Sequence, residues 1–292
     1  MGLNLKKIFA SYTNIVRYNE PMANHTSFHI GGPAEVFITP KNIAQLSGIY
    51  SLCCKKKIPL HILGRGTNLL VSDKGVRGVV LKPEWSRLER KGSKIIVSAA
   101  YPLARLVPES VKMGLSGLEP LVGIPGSVAG AVVMNAGGKY GQMADVIKSV
   151  KVITRGGRIK TVNKIRFAYR WSNLKGRLIG EVTLQLKSST SGKVRSRINE
   201  VLNEKRQTQP LADWSAGCVF VNPARSSAGM LIDKAGLKGM TIGGAMVSPK
   251  HANFIVNTGK AKAVDVIKLI DIIKKTVKER FNINLQLEIE EW

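Results

Sequence analysis

The chain has 292 residues with 44% hydrophobic content spread evenly along it, enough for two or three packed units and unlike the composition of a disordered protein. Lys and Arg number 45 against 19 Asp and Glu, a formal charge of +26, and such a field concentrates polyanions and small anions alike. Three cysteines, two of them adjacent, and four isolated histidines supply neither a disulfide framework nor a metal-ligand spacing. The longest apolar runs fall far short of the roughly 20 residues of a membrane span, so no membrane insertion is expected.

The first segment, MGLNLKKIFASYTNIVRYNE, sets two lysines before a short apolar patch that polar residues interrupt. No signal-like apolar core develops, and a cytoplasmic location is expected. From Ala34 to Leu186, β-rich runs (AEVFITP, LHILG, NLLVSD, GVVLKP, KIIVSAA, AVVMNA, VKVITRGGRIKTV, GEVTLQL) alternate with glycine-rich turns. One early helix is expected, with Ile43, Leu46, Ile49, Tyr50 and Cys53 on its apolar stripe and Pro59 beyond its end. Cys53 is on that reading a core residue. The block is α+β, without internal repeats.

The polar stretch KSSTSGKVRSR marks a boundary, followed by a helix through RINEVLNEKRQ that stops at Pro210. The last unit holds SAGCVFVNP, AGMLIDKAGLKGM and IGGAMVSPKHANFIVNTG. A helix from about Ala263 to Arg280 follows, with Ile267, Ile270, Ile273 or Val277, and Phe281 inward and Lys268, Lys274, Lys275 and Lys278 outward. The alternation in INLQLEIEEW suggests a final strand. The expected division is residues 1–188 and 189–292.

Two glycine-rich loops, LGRGTNLLVSD and GIPGSVAGAVVMNAGGKYG, lie beside apolar strands. Glycine lets consecutive N–H groups approach phosphate oxygens closely, although glycines in turns often only turn the chain. The first loop lacks the third glycine of a Rossmann fingerprint, and no segment is a Walker loop, so a dinucleotide would need another fold. The basic residues are dispersed, Lys55–Lys57 being the densest run. No zinc-finger, RNP or zipper pattern accompanies them, which argues against nucleic acid as the primary partner.

In order along the chain stand NHTSFHIGGPAEVFITP, LGRGTNLLVSD, GLSGLEPLVGIPGSVAGAVVMNAG, FAYRWS, KRQTQP, SAGCVFVNP, AGMLIDKAGLKGMTIGGAMVSPKHANFIVN and LQLEIE. These motifs, covering about Asn24 to Glu288, resemble the UDP-N-acetylenolpyruvoylglucosamine reductase (UDP-N-acetylmuramate dehydrogenase) family of bacterial peptidoglycan synthesis. The short distance from Arg170 to Cys218 is similar to its shorter type, which lacks an inserted substrate-covering segment. The resemblance implies a two-lobed α+β FAD-binding domain of the vanillyl-alcohol-oxidase (PCMH) type over 1–188. An α+β substrate-binding domain over 189–292 follows, its C-terminal strand returning to the active site. A monomer is expected.

The resemblance further implies that NADPH delivers a hydride to FAD. UDP-N-acetylglucosamine enolpyruvate then takes a hydride on its vinyl group, giving UDP-N-acetylmuramate. The flavin pyrophosphate would rest on backbone N–H groups of Gly64, Arg65, Gly66, Thr67 and Asn68. Gly123, Ile124, Pro125, Gly126, Ser127 and Gly130 would cover the other side. Arg170 matches the arginine that steadies the enolate, Glu288 the terminal catalytic glutamate, and Cys218 the place where many members carry a serine proton donor. Tyr140, Asn222, Lys250, His251 and Asn253 lie at or near substrate-contact segments. The chain departs from the family pattern at Trp171, where an Asp is usual, at Lys139 in NAGGKYG, and at Val221, where a lysine often precedes Asn-Pro. A free thiol, with a pKa of about 8.5, is protonated at neutrality and a stronger acid than an alcohol. A nearby arginine favours the thiolate, and Glu288 could offset that charge. The other readings are an FAD-linked oxidase of the same fold, with His29 or His61 as candidate attachment points, and a basic nucleic-acid-binding protein.

Overall fold

The computed structural model describes residues 4–292. Two compact units, neither continuous in sequence, divide the chain. The first comprises residues up to Tyr18, Val36–Arg65 and Arg77–Glu204; the second comprises Asn19–Glu35, Gly66–Val76 and Lys205–Trp292.

The first unit has two cores. One collects Phe9, Val36, Ile38, Leu46, Ile49, Cys53, Ile58, Val79, Leu81, Ile153 and Leu178. The expected early helix is Ile43–Lys55, started by Asn42, whose side chain accepts from the Gln45 N–H, a satisfied N-cap. Leu46, Ile49 and Cys53 are its buried stripe. It accompanies a sheet ordered Val16–Pro21, Pro33–Ile38, Val76–Leu81, Leu60–Ile62. The second core lies against an antiparallel sheet ordered Ile159–Val162, Ile147–Ile153, Leu178–Gln185, Lys94–Ser98, Leu88–Lys91. VKVITRGGRIKTV forms its hairpin, with Ile153 paired to Ile159.

Two helices join this second core that the sequence reading did not find. Leu103–Lys112 buries Leu103, Leu106, Val107 and Val111 despite Pro108 within it. The run AVVMNA, expected as β-rich, begins in the last half of the helix Val128–Val133 and ends in the turn after it. Ser127 caps it by accepting from the Gly130 N–H, and Val128, Ala131 and Val132 are buried at helical spacing. An uninterrupted apolar run conceals that period. The polar stretch before Pro210 is also regular: Lys187–Ser188 pairs with Leu115–Ser116, and the helix Ser191–Thr208 starts inside the stretch.

The second unit packs around the helix Ala263–Phe281 and a three-stranded sheet, Thr241–Ile242, Ala245–Val247 and Ile255–Asn257. Asp73 caps the helix: its carboxylate accepts from the N–H of Ala263 at 2.9 Å and of Val264 at 3.1 Å. The helix buries Val266, Leu269, Ile270, Ile273 and Val277, whereas Ile267, expected inside, is 40% exposed. At about 100° per residue, Ile267 falls to one side of the stripe that those residues define. The expected final strand is regular only at Glu290–Glu291, parallel to Leu69–Leu70. Before it, Leu287 makes a single antiparallel bridge to Phe220.

Leu269→Ala should therefore cost about 2–5 kcal/mol in urea denaturation, and Ile267→Ala less than about 1 kcal/mol. Equal losses would contradict the helix facing.

Candidate functional site

The proposed cofactor loops fold as supported backbone. In the first unit, Ile124 N–H donates to Leu121, Leu103 N–H to Gly126, and Val128 N–H to Tyr101. This anchors 123–128 from both ends. A Cβ at Gly64 would lie 2.8 Å from Ser127 Oγ, so the structure brings Gly64 against Ser127, with no room for a side chain at Gly64 unless the serine hydroxyl shifts. Gly64, Arg65, Gly123, Pro125 and Gly130 are exposed. Open backbone at a site that excludes side chains fits a pyrophosphate, whose oxygens need close N–H approach. In the second unit Gly66 has φ +64, and its added Cβ would meet the His25 carbonyl at 2.0 Å. Ser27 N–H donates to Gly66 at 2.9 Å. Thr67 and Asn68 follow directly.

Arg170 occupies the turn of a two-residue hairpin, Phe167–Ala168 with Trp171–Ser172, with φ +55, a region demanded by tight turns and unusual for non-glycine residues. Three contacts tie this hairpin to the NAGG loop. Asn135 Nδ2 donates to Ala168 at 3.2 Å, Ser172 Oγ to Val133 at 3.0 Å, and Arg170 to the Gly137 carbonyl at 3.0 Å. The guanidinium also lies 5.2 Å from the Tyr169 ring centre. Trp171 is 40% exposed.

In the second unit Cys218 and Glu288 come onto neighbouring extended segments. Cys218 makes an antiparallel bridge to Phe254 and Phe220 one to Leu287. Glu288 N–H donates to the Val219 carbonyl at 2.8 Å. On its other side the Glu288 carbonyl accepts from Asn68 Nδ2 at 3.0 Å, and Glu290 N–H donates to the Asn68 carbonyl at 3.0 Å. Glu288 is thus held between the Cys218 segment and the end of the first glycine loop. Arg170 belongs to the other unit.

The five residues expected near substrate differ in setting. Asn222 is exposed, its Oδ1 accepting from Ala228 N–H at 3.0 Å. Lys250, also exposed, donates from Nζ to the Arg206 carbonyl at 2.5 Å. His251 packs edge-on to Phe254, ring centres 4.9 Å apart, and burial pushes its pKa below the usual 6.5, with the Lys238 charge acting in the same direction. Asn253 is 3% exposed, and its carboxamide is engaged with Phe220. Tyr140 hydroxyl hydrogen-bonds to the Glu204 carboxylate, which also pairs with Lys139 Nζ at 3.2 Å. Glu204 raises the Tyr140 pKa through that bond. Sequence reading missed Glu204, an ordinary polar helix residue by pattern, and nothing local to it signals the contact.

Residues 209–292 match the family model described as the UDP-N-acetylenolpyruvoylglucosamine reductase C-terminal domain, and residues 34–163 match an FAD binding domain. UDP-N-acetylenolpyruvoylglucosamine reductase of Moorella thermoacetica is 44% identical over 94% of this chain and 92% of its own. The chain belongs to the UDP-N-acetylenolpyruvoylglucosamine reductase family. It is accordingly an enzyme of an FAD-dependent oxidoreductase family, and its 292 residues agree with the shorter type. The Bacillus subtilis relative of the same name is 41% identical over 93% of this chain and 92% of its own. The crystal structure of UDP-N-acetylenolpyruvylglucosamine reductase from Thermus caldophilus superimposes with a TM-score of 0.82 at 38% identity, covering 93% of this chain and 97% of that one. The expected fold, an FAD-binding domain of the PCMH type followed by the family's C-terminal domain, stands. Among the described residues no helix is long and apolar enough to cross a membrane.

Gly64→Ala should lower retained FAD, read as flavin absorbance per protein, and adding Ser127→Ala should restore part of it by removing the opposing Oγ; an unchanged flavin content in Gly64→Ala would remove the cradle argument. Burial likewise lowers the His61 pKa. A histidine whose folded pKa is depressed stabilises fully above the unfolded value of about 6.5 and progressively less as pH falls below it. Thermal midpoints should therefore fall on acidification below that value, and His61→Gln with His251→Gln should flatten the decline.

Proposed function

We propose that this enzyme reduces UDP-N-acetylglucosamine enolpyruvate to UDP-N-acetylmuramate with NADPH as the electron source, in the cytoplasm and as a monomer. The observation that carries the reading is the family membership over nearly the whole chain, together with the convergence of the Cys218 and Glu288 segments. Residues 1–188 are proposed to hold FAD and 189–292 the substrate, with the C-terminal segment completing the active site. Backbone N–H groups of Gly64, Arg65, Gly66, Thr67 and Asn68, with Gly123, Ile124, Pro125, Gly126, Ser127 and Gly130, would hold the FAD pyrophosphate. When bound, FAD would supply the two-electron chemistry linking NADPH oxidation to reduction of the vinyl group.

The chain's own residues manage charge and proton. Reduction of an enolpyruvyl double bond places negative charge beside the substrate carboxylate, and a fixed cation lowers that barrier. Arg170 has this role, its turn conformation and its bond to Gly137 fixing it beforehand. Cys218 Sγ delivers the proton to the neighbouring carbon, and Glu288 offsets the positive field that would otherwise ionise the thiol. Tyr140, Asn222, Lys250 and His251 are proposed to meet the substrate, and Asn253 belongs to the same segment. Val221, standing where the family often has a lysine, removes one candidate diphosphate contact.

In anaerobic stopped flow, Cys218→Ala should still be bleached by NADPH while the enolpyruvyl substrate reoxidises it at least about a hundredfold more slowly, the range of a lost general acid. Reoxidation at the normal rate would rule out Cys218 as the acid. In the native enzyme the substrate half-reaction should decline at alkaline pH as the thiol ionises, and Cys218→Ser should move that decline upward.

A further inference from the structure

Asn253 stands in a segment expected to contact substrate, yet its side chain is committed elsewhere. It is 3% exposed. Its Oδ1 accepts from the Phe220 N–H at 2.9 Å, and its Nδ2 donates to the Phe220 carbonyl at 2.8 Å. Its main-chain carbonyl accepts from the Val219 N–H at 2.8 Å. One residue therefore satisfies three of the four main-chain groups of Val219 and Phe220, immediately after Cys218. Phe220 is 1% exposed and Val219 is fully buried, so those groups have no water to turn to, and an unmade buried hydrogen bond costs about 1–3 kcal/mol.

The opposite edge of the same segment carries Glu288. Val219 accepts from the Glu288 N–H, and Val221 N–H donates to the Gln286 carbonyl at 2.9 Å. The segment from Cys218 to Val221, bridged at Cys218 and Phe220, thus has 286–288 along one side and a single asparagine engaging 219–220 along the other. The Cys218 bridge to Phe254 is the next step of that edge. A side-chain amide imitates a ladder partner only in one orientation, so Asn253 fixes the register of the cysteine against both Phe254 and Glu288.

We infer that Asn253 is a positioning residue, which holds Cys218 in register for proton transfer to the substrate, and is not itself a substrate contact. The inference rests on the proposed role of Cys218 as proton donor. A displacement of the donor by about 1 Å suffices to slow a reaction about a hundredfold, without altering groups that bind substrate.

The test is a double-mutant cycle in the holoenzyme. Asn253→Ser should lower kcat about tenfold or more, leave KM for the enolpyruvyl substrate within about twofold, and leave flavin reduction by NADPH unchanged. In a Cys218→Ala background the same substitution should have no further effect on kcat. A raised KM with unchanged kcat would make Asn253 a substrate contact, and an equal fall of kcat in both backgrounds would make it general scaffolding; either overturns the inference. If Cys218→Ala alone is fully active, the proton-donor reading fails first, and the cycle distinguishes that failure. Should Asn253→Ser not fold, amide exchange in the native enzyme decides. The Phe220 N–H should stay protected when UDP-N-acetylmuramate saturates the site, whereas faster exchange would show the carboxamide turning to the ligand and overturn the inference.

Discussion

The backbone of Glu288 is hydrogen-bonded on both sides, its N–H to Val219 and its carbonyl to the Asn68 side chain. Much of the second unit's geometry depends on that pair. From Glu288 onward the chain pairs with the end of the first glycine loop: Glu290 N–H to Asn68, Trp292 N–H to Leu70, and Ser72 N–H to Trp292. One residue beyond Ser72, Asp73 caps the helix Ala263–Phe281, whose apolar stripe forms the unit's core. The glycine loop, the terminal carboxylate and the main core helix are consequently joined by main-chain and capping bonds. Movement of any one of them breaks the bonds made by Asn68 and Asp73.

In the first unit, preorganisation takes a different form. Arg170 is set by backbone strain and loop contacts rather than by a sheet. Its positive φ belongs to its own hairpin turn, which is held by the Ser172 bond to Val133 at the end of the helix Val128–Val133 and by the Asn135 bond to Ala168 from the loop that follows. That helix begins at Ser127, the residue that faces Gly64. The same short segment thus shapes the cradle at one end and holds the arginine hairpin at the other. Asn135, itself at φ +44 and 3% exposed, is the hinge of the arrangement: its Oδ1 accepts from Ala144 N–H while its Nδ2 reaches Gln142 and Ala168.

What the sequence made legible follows from which forces act locally. Helix Ile43–Lys55 was readable because Asn42, Leu46, Ile49 and Cys53 carry cap and period within one window. Val128–Val133 was not, since its apolar run fits a buried strand equally well until Ser127 is known to cap it. Pro108 hid the helix Leu103–Lys112. Ile267 was misplaced because Ile outranks Val266 in hydrophobicity, whereas facing is set by rotation around the axis. The family motifs singled out Arg170, Cys218 and Glu288, but nothing in them revealed that Asn253 turns to Phe220 or that Tyr140 and Lys139 meet Glu204. Those pairings join residues far apart in sequence, through side chains whose local pattern is merely polar.

A thiol as the proposed proton donor, in place of a hydroxyl, changes what the surrounding structure must do. An alcohol keeps its proton throughout the physiological range, so its position alone matters; a thiol ionises at about 8.5 unless its surroundings intervene. In a chain carrying 45 basic and 19 acidic residues, the average field favours the thiolate. A proton-donating Cys218 therefore requires a negative group held close by, and Glu288 is the carboxylate whose main chain is bonded directly to the cysteine's own segment. In the proposed mechanism two residues would then act through geometry on one proton: Asn253 would fix where the sulfur lies, and the two-sided hold on Glu288 would fix the charge that keeps the sulfur protonated. On this reading, substituting serine for the thiol makes the second constraint dispensable and leaves the first intact.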